Sequence, residues 1–431
     1  MKRLLKRILG FFLHDKLSVV LRYRREYRTK RMLKRVAQYN KLELIKEKSE
    51  KECVTILFFM YNISMWKYDG LMKLLLSNPK YNPVIVPFVM PERTFDINKR
   101  NRDEVVEYCI ANNFPLKEGY DFESKQFLDI SDINPDIVVY TQPYNKGYKN
   151  WRIEKFPNSL FVYTPYGIST SKNKGLKDTF LTNIAWKIFV SCQLEKTIYA
   201  DNLSSKAIDN IAVTGPVIFD QLTTADKSKS PWRDNGKKRV IWAPHHSIDD
   251  KRGFSNSTFE LFCFEMIELA KKYRDQIEIA FKPHPTLEER LIEKWGKTKT
   301  ESYYNQWRQM PNTMICTGDY SELFAFSDAL VHDCASFVCE YLYTQKPVLY
   351  ISKDSCPPEG VANELGRECF QQHYHGHCIS DIDNFIRDAV IGGNDPMKLE
   401  RFSFVQNRLI PPNNRTVAEN MLSELDTIFE H

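Results

Sequence analysis

Arg239-Val240-Ile241-Trp242-Ala243-Pro244-His245-His246-Ser247 is the stretch on which the fold turns. An apolar run this short, closed by a proline, reads as a buried strand that feeds directly into a polar turn. The pattern recurs downstream. Ile277–Phe281 ends in Lys282-Pro283-His284-Pro285, and Ala329–His332 runs into Asp333-Cys334-Ala335-Ser336 ahead of a helical pattern. Thr313–Ile315 and Val348–Ile351 extend the series, with helical segments between most of the strands. Strands alternating with helices indicate an α/β architecture with mostly parallel sheets.

The same alternation holds upstream, with strands expected near Val54–Phe59, Val84–Phe88, Ile137–Tyr140, Leu160–Tyr163, Lys187–Val190 and Ile211–Thr214. Between the two series, Gln221 to Gly236 is polar and contains Pro231, which suits a linker. Arg415 to Phe429 reads as a final amphipathic helix. The expected organisation is two Rossmann-like domains, residues 51–225 and 226–431, facing a central cleft. A basic amphipathic extension, residues 1–50, precedes them.

With 431 residues the chain exceeds what one hydrophobic core holds, and 42% hydrophobic residues exclude a disordered protein. The net charge of +6 is unevenly placed: residues 1–35 hold 13 Lys or Arg against Asp15 and Glu26, so the rest of the chain is slightly acidic. An acidic body speaks against a nucleic-acid groove and for no nucleic-acid partner. In the arm, Leu5, Ile8, Leu9 and Phe12 share a helical face opposite Lys2, Arg3, Lys6 and Arg7. Residues 1–35 are therefore expected to lie on an anionic membrane surface. No uncharged stretch is long enough to span a bilayer, and no cleavage site follows the short apolar run from Ile8 to Leu13. Ten cysteines without paired spacing fit a reduced compartment, which places the chain at the cytoplasmic face.

Ligands in parallel α/β sheets bind beyond the carboxyl ends of the strands, so the residues after each second-half strand are the candidates. His284 is the first choice for a diphosphate contact or leaving-group acid. Of the adjacent His245 and His246, only one is expected to face the cleft if the backbone stays extended, and His245 is preferred. Lys282 offers charge to a diphosphate, although a lysine at a strand end more often stays at the surface. Ser336 opens a helix, where a hydroxyl and backbone amides can hold phosphate, and Asp333 can orient a histidine or a ligand hydroxyl. Glu340 lies one turn further on the face of Ser336. His373, His375 and His377 alternate as on one strand face, with Cys369 close, an arrangement zinc could use. They stand apart from the other motifs, so no metal and no cofactor is expected. Neither a G-x-x-x-x-G-K-[ST] nor a G-x-G-x-x-G loop occurs.

Ala243-Pro244-His245, Lys282-Pro283-His284-Pro285, Asp333-Cys334-Ala335-Ser336 and Gln345-Lys346-Pro347 resemble successive motifs of the CDP-glycerol glycerophosphotransferase family, GT-B enzymes of teichoic-acid and capsule polymer synthesis. Val213-Thr214-Gly215-Pro216 with Asp220, and Asn413-Asn414-Arg415-Thr416, are similar to two further family motifs, over about residues 155–430 in all. The resemblance implies a CDP-linked polyol donor, a membrane-bound polymer acceptor, a donor site that includes Gly215, and ribose contact by Glu340. Two departures stand out. Tyr166, in Pro165-Tyr166-Gly167-Ile168, occupies the place of the family's proposed catalytic histidine, and a tyrosine of ordinary pKa is a poor base at neutral pH. His245 replaces the threonine of Ala-Pro-Thr. A glycosyltransferase using a nucleotide sugar is the alternative, and a catalytically silent scaffold on the same fold a further one.

Overall fold

The computed structural model describes residues 41–90, 93–142, 151–173, 175, 177–248, 257–353 and 362–430, so the basic arm at 1–35 lies outside the described residues. Two six-stranded sheets organise them, and every pairing within each is parallel. The first comprises β1 (Val54–Met60), β2 (Tyr81–Pro87), β3 (Ile137–Tyr140), β4 (Leu160–Tyr163), β5 (Lys187–Val190) and β6 (Ile211–Val213). The second comprises β7 (Lys238–Ala243), β8 (Ile277–Phe281), β9 (Thr313–Ile315), β10 (Ala329–His332), β11 (Val348–Ile351) and β12 (Tyr374–Gly376). Their orders are β2-β1-β3-β4-β5-β6 and β9-β8-β7-β10-β11-β12.

The strands β3, β4, β8, β10 and β11 are buried at every residue, the signature of a sheet covered on both faces. In the second sheet the chain turns from one direction of growth to the other between β7 and β10. Open α/β sheets form their ligand crevice at such a switch point. The motifs after β7, β8 and β10 all end at this crevice.

Two elements differ from the sequence reading. β2 starts at Tyr81 and runs through Pro83, because it is an edge strand where a missing N–H costs no ladder bond. β12 is a three-residue edge strand within the histidine-rich stretch. Its pattern is too short to stand out from a loop.

The expected domain boundaries also differ from the packing. The helix Lys41–Ser49 places Ile45 in the core of the first sheet and ties Lys48 to Asp136, which Lys51 just beyond the helix also reaches, so it belongs to that unit and not to an extension. The tail returns as well. From the helix Val417–Asp426, Val417, Ala418, Met421 and Leu425 enter the first-sheet core. Asp220 fixes this return. Its carboxylate accepts the backbone N–H groups of Val417 and Ala418, both at 2.8 Å, at the N-terminal turn of the tail helix. Thr416 and Glu419 add a reciprocal capping box. Gly215, with φ +98, is required beneath them, since a Cβ there would come to 2.8 Å of Pro411 and 2.9 Å of Val417. Asp220→Asn removes the charge that complements the helix terminus. It should lower unfolding stability by about 1–2 kcal/mol. The amides of 417–426 should then exchange faster, as hydrogen-exchange mass spectrometry would show; unchanged protection would refute the assignment.

Candidate functional site

His245, His246 and His284 converge at the second-sheet crevice. Ring centroids are 4.1 Å apart for His245–His246, 4.0 Å for His246–His284 and 5.2 Å for His245–His284. The expectation that only one of the adjacent histidines would face the cleft is thus wrong. The strand ends at Ala243, and the backbone beyond it turns, with Ile248 N–H bonded to His246 O, so strict alternation no longer applies. Asp333 anchors the turn from the end of β10. One oxygen accepts His245 N–H at 2.5 Å and the other accepts Thr258 N–H at 2.6 Å and Thr258 Oγ1 at 3.0 Å. Burial pushes the Asp333 carboxyl upward in pKa, and these donors oppose that shift. Asp333 thus orients the His245 backbone, consistent with one role expected for it.

One ring nitrogen from each of the three histidines lies within 4.8 Å of the others, the one such group among the described residues with spacing suited to a metal. The hydrogen bonds favour a different ligand. Nδ1 of His245 accepts Ser247 N–H at 3.3 Å, and Nδ1 of His284 accepts Thr286 N–H at 3.2 Å. A ring nitrogen that accepts a backbone N–H carries no proton, so in the neutral rings the proton sits on Nε2. A metal on Nε2 would force the proton onto Nδ1 and break both bonds. Both rings are therefore set as Nε2–H donors, the arrangement an anion uses.

Electrostatics agree. Burial, then the neighbouring His246, His245, Lys282 and Arg93, lower the His284 pKa to about 2, so this ring is neutral at pH 7. Burial lowers His245 too, with Asp333 opposing and Arg290 assisting. Lys282 is not at the surface, as a strand-end lysine usually is. It is 7% exposed, burial brings its pKa to about 8, and its ammonium donates to Gly318 O. Arg93 is contributed from the first half of the chain, so cations approach the histidines from both sides of the cleft. Neither Arg93 nor Arg290 belonged to a motif singled out in the sequence.

A second group bridges the halves. Tyr320 donates to Glu340 Oε2 at 2.5 Å, while the ammonium groups of Lys67 and Lys282 lie 4.1 Å and 5.1 Å from its ring centroid. Lys67 enters after β1 of the first sheet and also reaches Asp319, 3.8 Å away. Burial raises the Glu340 carboxyl in pKa, against the pull of Lys67, Tyr320 and the Ile168 N–H. A lysine standing after a first-half strand end was the available clue to Lys67.

Glu340 is buried and faces the first half, where it lines a pocket with Tyr166, Gly167 and Gly215. Tyr166 sits at that pocket, 42% exposed, and not among the histidines. Ser336 is exposed, and its side chain caps nothing. The helix it opens, Phe337–Glu340, is four residues long, too short for the dipole argument to carry weight.

The zinc alternative finds no support. His373 Nδ1 donates to Cys369 O at 2.8 Å, His375 bonds Phe370 O and His377 bonds Ser352, so each ring makes a separate local contact, and the three do not come together with metal-ligand spacing. His373 instead lies 5.5 Å from buried His332. Burial lowers His332 to about 3 and takes His373 well below its ordinary value. Folded, both are neutral; unfolded, both bind a proton below pH about 6.5. Each therefore removes stability as pH falls, about 2 kcal/mol at pH 5. Urea unfolding at pH 7 and pH 5 should show His373→Gln losing about 2 kcal/mol less than the parent over that interval, since the buried carboxylates titrate in both. An equal loss would refute the neutral buried ring.

The fold and this cleft define a GT-B architecture, and solved structures agree. A histidine-to-asparagine variant of the wall teichoic acid polymerase TagF matches with TM-score 0.56 at 13% identity, covering 94% of this chain and 99% of that one. The S. aureus MnaA–UDP structure matches with TM-score 0.54 at 12% identity, over 88% and 97%. UDP-GlcNAc 2-epimerase from Neisseria meningitidis bound to UDP-GlcNAc matches with TM-score 0.53 at 12% identity, over 88% and 100%. No curated protein matches the sequence significantly. Residues 186–358 match the family model of CDP-Glycerol:Poly(glycerophosphate) glycerophosphotransferase, so that segment is similar to this family. The segment contains the three histidines, Lys282, Asp333 and Glu340.

Proposed function

We propose that the protein transfers a polyol phosphate, glycerol- or ribitol-phosphate, from a CDP-linked donor to a membrane-associated cell-envelope polysaccharide or teichoic-acid-like precursor. The observation that carries the reading is the histidine triplet with Lys282 at the second-sheet crevice, inside the family-matched segment. The acceptor hydroxyl oxygen attacks the β-phosphorus of the donor. An O–P bond forms, the bond from that phosphorus to the bridging oxygen breaks, CMP departs with the bridging oxygen, and the acceptor's hydroxyl proton is released to solvent. Charge gathers on the phosphoryl and bridging oxygens, and fixed donors lower the barrier most when already aimed there. His245 and His284 supply Nε2–H donors fixed in tautomer by Ser247 and Thr286, and Lys282 and Arg93 supply positive charge. Asp333 holds the His245 turn in place.

Transfer of a sugar from a nucleotide sugar is the second reading, favoured by Tyr166 standing where the family places its histidine. Calorimetric titration with CMP, CDP-glycerol, CDP-ribitol, UDP and a UDP-sugar separates the two. Cytidine-selective binding, weakened at least tenfold in His284→Ala, is expected. Uridine selectivity would favour sugar transfer, and no nucleotide binding would leave a scaffold.

Among the described residues no helix is long and apolar enough to cross a membrane. The proposed membrane contact at the cytoplasmic face rests on residues 1–35, with their 13 Lys or Arg interleaved with apolar residues. Deleting residues 1–35 should abolish co-sedimentation with vesicles containing anionic lipid; undiminished binding would overturn this contact.

A further inference from the structure

The pocket on the first-half side of the cleft has no part in the donor chemistry above. It opens beyond the carboxyl ends of β4, β5 and β6 and is lined by Thr164, Tyr166, Ser191, Glu195 and Gly215, with Glu340 closing it from the second half. The pocket is partly open to the cleft, and its inner space of about 20 Å³ has room for one hydroxyl or one water.

The lining is unusual in what it leaves unsatisfied. Glu195 is 1% exposed. At the third position of the helix Gln193–Asn202 it turns one oxygen back to the preceding strand end, where Oε2 accepts Ser191 N–H at 2.8 Å and Ser191 Oγ at 2.6 Å. That much is helix capping. Its other oxygen, Oε1, is buried and makes no hydrogen bond, and the same is true of Thr164 Oγ1. A buried polar atom without a partner costs stability, and such atoms seldom persist in a fold without use. Burial raises the Glu195 carboxyl in pKa, while Ser191, Lys177 and the Ser169 N–H, which lies near the carboxyl without hydrogen-bonding geometry to Oε1, favour its charge. Two carboxyl groups, Glu195 and Glu340, therefore face one small space with a threonine hydroxyl. Carboxylates repel a phosphate and accept from a hydroxyl.

We propose that this pocket is a hydroxyl-recognition subsite for the terminal polyol unit of the acceptor, with Glu195 Oε1 and Thr164 Oγ1 as its hydrogen-bonding partners. The assignment rests on the polyol-phosphate reading of the cleft. It lies on the half that faces the donor crevice, so an acceptor held here presents its chain end across the cleft. Glu195 is a binding and positioning residue, and no proton transfer is assigned to it.

The test uses the full chain and calorimetry. The probes are a glycerol-terminated glycerol-phosphate oligomer, the same oligomer ending in a deoxy (propanediol) unit, CDP-glycerol and CMP. Glu195→Gln keeps an oxygen for Ser191 and should weaken the hydroxylated oligomer roughly 10- to 100-fold, leaving the deoxy oligomer and CMP unchanged. Thr164→Val should show the same selectivity with a smaller loss, which guards against a folding defect in the first variant. Equal effects on both oligomers, or a parent protein that does not distinguish them, would overturn the subsite. Selective loss of CDP-glycerol binding in place of oligomer binding would assign the hydroxyl to the donor's polyol and overturn the acceptor assignment. A parent that binds no cytidine nucleotide would instead sink the polyol-phosphate reading, a result separate from the oligomer comparison.

Discussion

The contact between Asp220 and the start of the tail helix is the constraint on which the rest of the architecture depends. Residues 225 to 410 build the second sheet and its helices, yet the chain must come back to complete the core of the first. Helix N-termini leave backbone N–H groups unsatisfied, and a buried helix end without partners is costly. Asp220 supplies both partners and a complementary charge from the last helix of the first unit, Val217–Thr223. The two family-like motifs, Thr214-Gly215-Pro216 with Asp220 and Asn413-Asn414-Arg415-Thr416, meet at this joint. Their chemistry is that of assembly: Gly215 yields the space, Asp220 the carboxylate, Thr416 the cap.

With the joint fixed, the cleft gains its geometry. The loop after β4 is held across it, Asn363 donating to Ser169 O at 2.7 Å and to Thr170 O at 2.8 Å. On the other side Lys67, Tyr320, Glu340 and Lys282 form a compact group of charges and one ring. Such a group is stable only while complete, because removing one member leaves a buried charge uncompensated. The histidine crevice and the pocket lined by Glu195 thus lie on either side of this polar framework.

Much of this was legible in the sequence because strand-end chemistry is local. A short apolar run followed by Pro-His or His-Asp announces both the strand and the rim residue, and His245, His284 and Asp333 were found that way. What escaped depends on the third dimension. The return of 417–426 to the first core cannot be read from a helix pattern, since amphipathicity says that a helix packs and not on what. His246 was set aside because alternation was carried past the end of its strand. Lys282 looked superficial because burial of a lysine is decided by Tyr320 and Gly318, residues more than thirty positions away. Nothing in the sequence singled out Glu195, and only the three-dimensional surroundings of Oε1 mark it out. The alternate histidines at 373, 375 and 377, an arrangement zinc could use, make three separate local bonds.

The crossing of the chain from one half to the other occurs twice, once after Thr223 and once before Val417. A pair of bodies joined by a single tether can swivel in any direction, whereas two tethers define a line and leave bending about that line as the soft motion. Two such tethers resist sliding of the histidine rim past the opposite pocket more than they resist bending about the line that joins them.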